Sequence, residues 1–191
     1  MGQIFQQYDG LTPDIRRLAN VASSTRGLMY RMGKAIEGEH RAHFRLRDQQ
    51  PNKRGFPKRH FWRSIQQATA LSSFTERSAV VTVADPRLLH KITGGVLVAK
   101  RAKMLAIPVS PRAYKVGSPR IFGKPLALIV RKGKPALLVE QKKRQWDIHY
   151  VLKRSVYQQP DPNALPAVPK VQAAINAAAQ AWARSQVSGR G

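Results

Sequence analysis

Residues 78–108 read SAVVTVADPRLLHKITGGVLVAKRAKMLAIP, and this stretch decides the fold class. The β-branched run Val80, Val81 and Val83 predicts a strand that stops at Asp85-Pro86. A short leucine-rich turn follows and ends in His90-Lys91-Ile92-Thr93-Gly94-Gly95. The chain then crosses a basic patch and returns as a second apolar run, Met104 to Pro108. Strand, excursion and returning strand predict a small antiparallel sheet that carries one long loop. The stretch contains no catalytic set, so the chain does not read as an enzyme.

Upstream, residues 1–11 have no period and read as an N-terminal arm. Thr12-Pro13-Asp14 is a helix start: a Thr cap, Pro at the first helical position, and Asp near the positive end of the dipole. Ile15, Leu18, Ala22, Met29, Met32, Ile36 and Phe44 then recur at three- and four-residue steps, one buried helical stripe. Gly27, Gly33 and Gly38 interrupt that pattern, each weakening it by about 1 kcal/mol. The spacing predicts one bent helix over roughly 12–47, or two in succession. The stretch DQQPNKRGFP (48–57) reads as a loop. A short helix follows, with Phe61, Trp62, Ile65 and Ala68-Thr69 on one side and Lys58, Arg59 and Arg63 on the other. Trp62 at that spacing reads as an anchor on the sheet rather than a platform for a nucleic-acid base.

Downstream, Ser110 to Pro125 is rich in Pro, Gly, Arg and Lys and reads as an exposed loop. Leu126–Val130, Arg131–Lys134 and Pro135–Val139 predict a β-hairpin with a basic tip. Trp146 to Val151 predicts a last strand with Trp146, Ile148 and Tyr150 on one face. Four prolines between Gln158 and Pro169 make that segment a linker. The alanine-rich stretch beyond it, with Val171, Ala174, Ile175, Ala178 and Trp182 on one stripe, is a final helix. The expected fold is therefore α+β: a small antiparallel sheet packed by a long N-terminal helical region and a C-terminal helix, with extended basic loops. Its parts are an arm (1–11), an α+β core domain (12–157), a Pro-rich linker (158–169) and a C-terminal helix (170–187). The predicted sheet core holds Val81, Leu105, Ile107, Leu128 and Val139.

The formal charge of this 191-residue chain is +24, and it is uneven. Residues 51–160 hold 23 Lys/Arg against 4 Asp/Glu. Cations at that density repel one another, which implies an anionic partner: nucleic acid, or an acidic protein surface. There is no cysteine, so neither disulfides nor thiolate metal sites contribute. MGQIFQQYDG lacks the form of a signal peptide and of a myristoylation site, and no apolar run is long enough to span a membrane. His40 and His43 stand one helical turn apart, but a zinc site needs three or four ligands. Gly94-Gly95 fits neither a P-loop nor a dinucleotide fingerprint. No cofactor, metal or catalytic residue is expected.

A long N-terminal helix comes first, then an aromatic helix (Phe61-Trp62), a strand, and the His-x-x-x-Gly-Gly turn of His90 to Gly95. After these come the apolar-Pro ending Leu105-Ala106-Ile107-Pro108 and a late aromatic strand. That order resembles the virion-morphogenesis or tail-completion proteins of long-tailed bacteriophages, the group that includes the minor tail protein Z of lambda. The resemblance covers most of residues 12–187, and the basic Ser110–Pro125 stretch and the Pro-rich linker depart from it. It implies a structural protein of the virion neck, made in the host cytoplasm, that completes the tail and joins it to the DNA-filled head. Its partners would be further copies of itself in a ring (six or twelve), the neighbouring tail terminator and head-completion or adaptor proteins, and DNA by non-specific contact, with no membrane. Candidates for the DNA channel or a partner contact are Arg112, Lys115, Arg120, Lys124, Arg131, Lys132, Lys134, Lys142, Lys143 and Arg144, all in or beside loops with strong turn chemistry. The rival reading is a free-standing basic nucleic-acid-binding protein. A metal-dependent nuclease is disfavoured by the absence of a carboxylate cluster.

Overall fold

The computed structural model describes residues 25–51, 55–143 and 145–187. The expected arm (1–11), the helix start at Thr12 and the candidate Arg144 lie outside the described residues. The fold is α+β, with antiparallel strand pairs throughout the described residues. The described residues group into two compact units, one built on 25–42, Ala68–Val83 and 166–187, the other on His43–Gln67 and Ala84–Leu165.

In the first unit, helix α1 (Arg26–Gln49, its residues to 42) runs without interruption through all three glycines. Gly33 has a packing reason: a Cβ there would lie 2.6 Å from Leu71 Cδ1 and 3.0 Å from the Ala79 methyl. Only a bare backbone lets the hairpin of β1 (Thr69–Phe74) and β2 (Ala79–Val83) come so near. Glu37, one turn on and buried, accepts from Lys34 Nζ (2.5 Å), Arg41 Nη1 (3.1 Å) and the Leu71 amide (3.2 Å). The Lys34 hydrogen bond, then those of Leu71 and Arg41, hold its carboxyl below the usual range against the cost of burial. The C-terminal helix α5 (Val168–Val187) lies on this unit, its Trp182 indole nitrogen 3.5 Å from where a Cβ on Gly27 would stand.

The sequence pattern paired the Val80–Val83 run with Leu105–Pro108; the structure separates them. Strand β2 pairs with β1, a strand the sequence hid. TALSSF does not alternate, and its register shifts between Leu71 and Ser73.

In the second unit, α2 (Phe61–Gln67) follows the end of α1. Trp62 is an anchor, as its spacing implied, but on a helix: it stacks on Phe44 at 5.9 Å, with the Arg47 guanidinium 4.7 Å over its ring. Arg47 also pairs with Asp161 at 2.5 Å, and the Asp161 amide donates to the Lys91 carbonyl, so the Pro-rich stretch is tied down here. Asp85-Pro86 both stops β2 and starts α3 (Pro86–Thr93): the Asp85 carboxylate accepts the Arg87 amide and Pro86 takes the first turn. Gly94 closes α3 with φ 67°, where a Cβ would stand 2.7 Å from the Gln158 carbonyl. From there β3 (Gly95–Val98) leaves and pairs with β8 (Ser155–Gln158).

The main sheet has the order β4-β7-β6-β5, with β4 at Leu105–Pro108, β5 at Ala127–Arg131, β6 at Lys134–Lys142 and β7 at Gln145–Lys153. Register puts Ile107, Val151, Leu137 and Ile129 in one cross-strand row. Leu138 and Tyr150 face each other in the next. The stretch Ser110–Pro125 is not an exposed loop. Ser110 caps helix α4 (Pro111–Val116), Ser118 caps a 3-10 turn (Pro119–Ile121), and Ala113 and Phe122 form a core with Tyr150. Of the predicted core residues Val139 is fully buried, Val81, Leu105 and Ile107 are half-buried, and Leu128 is 57 % exposed. A register shift opposite Leu138 and Val139 makes His149 an extra residue in β7. Both His149 and Tyr150 are thereby buried, while Trp146 and Ile148 stay exposed, which breaks the single aromatic face expected of this strand.

Candidate functional site

The expected basic tip forms as the sequence implies. Arg131 pairs with Lys134 across a turn in which Gly133 takes φ 68°. The Arg131 guanidinium folds back, Nη2 donating to the Pro135 carbonyl at 2.8 Å, which stiffens the turn. Lys132 and Lys134 are exposed and, among the described residues, make no ion pair. The second turn of the sheet joins β6 to β7, with Lys142 opposite Gln145. Here Lys142 pairs with Asp147, whose hydrogen bond raises the Lys142 pKa. Lys143 is exposed.

The two basic turns stand at opposite ends of the nine-residue β6, about 26 Å apart at ~3.3 Å per residue. The candidates therefore do not form one patch. Arg131, Lys132 and Lys134 lie at one end of the sheet. Arg112, Lys124 and Lys142 gather towards the other, around Glu140. Lys115 and Arg120 are exposed on α4 and the 3-10 turn, apart from any ion pair among the described residues.

Glu140 is the centre that sequence reasoning missed. It is 6 % exposed and accepts from Lys124 Nζ at 2.6 Å, His149 Nε2 at 3.2 Å and Arg112 Nη1 at 3.3 Å. The hydrogen bond from Lys124 lowers its pKa most; burial opposes this, and the His149 hydrogen bond and the Lys124 and Arg112 charges add to the lowering. A glutamate after the apolar run Ala136–Val139 was the available signal. Its partners come from three separate stretches of chain, which no local pattern reveals.

The other face of His149 meets Ser110, with Oγ 2.7 Å from Nδ1. Serine, imidazole and carboxylate in line is the geometry that activates a nucleophile. Here the Ser110 oxygen already accepts the Ala113 amide as the cap of α4, at 3.2 Å. The Phe122 ring covers the imidazole at 4.5 Å, and Lys124 and Arg112 already neutralise the carboxylate. The trio is a joint that fixes α4 to the bulge of β7.

Elsewhere, His40 Nδ1 lies 2.8 Å from the Ile36 carbonyl and His43 Nε2 3.1 Å from that of Asn163, so each ring serves its own unit. Among the described residues no three His, Cys, Asp or Glu side chains gather as metal ligands, and no helix is long and apolar enough to cross a membrane. Comparison of the chain with protein-family models, curated proteins and solved structures finds no match.

Proposed function

We propose that this chain is a structural subunit of the neck of a long-tailed bacteriophage, a ring protein that completes the tail and joins it to the DNA-filled head. The reading rests on the order of elements that resembles the tail-completion family. The observation that carries it furthest is the Arg131–Lys134 turn: a stiff, cationic projection on a sheet whose strands are apolar in both rows, with Lys132 and Lys134 left without counter-ions among the described residues. Contacts to phosphate alone position a duplex without reading its sequence, which suits a conduit. In this role the protein acts by binding. It is built in the host cytoplasm and ends in the virion.

Charge reversal of Arg131, Lys132 and Lys134 together tests this. Heads and tails should still join, while DNA retention or ejection changes. If the variant also fails to join DNA-free heads to tails, the turn is a protein contact and the channel reading falls.

A free-standing nucleic-acid-binding protein is favoured by one observation. Trp146, half exposed, stands beside the Lys142–Gln145 turn, where an indole among cations offers a stacking platform. Under that reading Trp146→Ala should weaken binding of single-stranded DNA by a purified, non-assembling protein. Under the neck reading it leaves assembly and duplex binding unchanged.

A further inference from the structure

The two-stranded ribbon of β3 and β8 turns its apolar side outward. Val96 sits opposite Tyr157 and Val98 opposite Ser155, which puts Val96, Val98 and Tyr157 on one face. They are 62 %, 60 % and 58 % exposed, whereas Leu97 and Val156, on the other face, are less so. A ribbon with one wet face ordinarily shows polar residues to water. Among the described residues neither outer edge of the ribbon pairs with a further strand. Exposed, β-branched and unpaired edges are what folded chains normally blunt or cover. The ribbon also ends in charge. Past Val98 and before Ser155 come Lys100, Arg101, Lys103, Lys153 and Arg154, all exposed and, among the described residues, none in an ion pair.

We propose that this ribbon is a docking edge for an extended segment of a partner protein, one that adds a strand through its backbone and carries acidic residues to meet the cationic end. Strand addition supplies main-chain hydrogen bonds, and alternate side chains give specificity. Two features favour protein over nucleic acid: the face is mostly valine, which has no π-face for a base, and its backbone edge is open. A second copy would bring its own large positive charge to the same surface, whereas an acidic segment neutralises it. The proposal stands apart from the neck reading, since it needs only this surface.

The probe is a short synthetic peptide of alternating valine and glutamate, with its valine–lysine counterpart as control, titrated against the full chain by fluorescence anisotropy. Amide hydrogen exchange is followed in the same samples. The acidic peptide should bind and slow exchange along 95–98 or 155–158, and the lysine peptide should not. Val96→Thr with Val98→Thr keeps strand propensity and should weaken binding about ten-fold, as should Lys100→Glu with Arg101→Glu. Reversal of Lys132 and Lys134 should leave it unchanged. The proposal is overturned by absence of binding, or by binding without slowed exchange on either strand. It also fails if a duplex oligonucleotide displaces the peptide and the threonine variant binds that duplex as wild type, which would make the surface a phosphate site. Concentration-dependent self-association abolished by the threonine variant would assign the ribbon to a second copy instead.

Discussion

Glu140 receives hydrogen bonds from lysine, histidine and arginine, so one carboxylate organises α4, β6, β7 and the segment before β5. Its removal leaves cations facing one another beside a buried imidazole, a costlier state than the loss of one surface pair. Because its pKa is lowered in the folded chain, its contribution is fully present above the unfolded carboxylate value of about 4.3 and is lost as pH falls through the lower folded value. Glu140→Gln should therefore lower the melting temperature clearly at neutral pH, with the gap to wild type closing on acidification below about pH 4. A gap independent of pH would show that the carboxylate acts through shape alone. Glu37 has the same sign, and Glu37→Gln should show the same convergence.

At the scale of elements, glycines at similar positions along one helix have different jobs. A side chain at Gly33 meets Leu71 and Ala79, whereas a Cβ at Gly38 meets nothing within 4 Å. Gly33→Leu should cost about 1–3 kcal/mol through overpacking. Gly38→Ala should gain up to about 1 kcal/mol from helix propensity. Equal responses in a denaturant titration would mean that the hairpin does not rest on α1 at Gly33. The sheet offers a parallel contrast: Leu137 is buried and Leu128 is 57 % exposed. Leu137→Ala should cost about 2–5 kcal/mol and Leu128→Ala well under half of that. The same elements show what the sequence carries. The stripe of α1, the Arg131–Lys134 hairpin and the Val171–Trp182 stripe were legible because each is written in residues three, four or two apart. Helix α4 was misread because its prolines and cations suggested a loop, although Ser110-Pro111 is the same cap signal as Asp85-Pro86. The partner of β2 was illegible because Ser72 and Ser73 erase the alternation of β1. The Glu140 cluster is long-range and lay beyond any local pattern.

Across the whole molecule, the charge of +24 overstates what is available to a polyanion. Lys124 and Arg112 are committed to Glu140, Lys142 to Asp147 and Arg47 to Asp161, so these cations hold few counterions to release. Among the described residues, Lys132 and Lys134 are exposed without such partners. Duplex binding falls with salt because each neutralised phosphate frees condensed ions, giving a slope of about −0.9 in log–log form per contact. If the Arg131–Lys134 turn lies on DNA, Lys132→Gln with Lys134→Gln should make that slope shallower by about 1.8. Lys124→Gln should change the slope little, since its ammonium faces Glu140 in the free protein, and should instead lower thermal stability. Measuring the affinity for a random-sequence duplex at several salt concentrations separates the two. A slope altered equally by both variants would mean that binding depends on total charge and not on this projection. A slope altered by neither would move the turn away from DNA, and leave an acidic protein surface as the partner that offsets it.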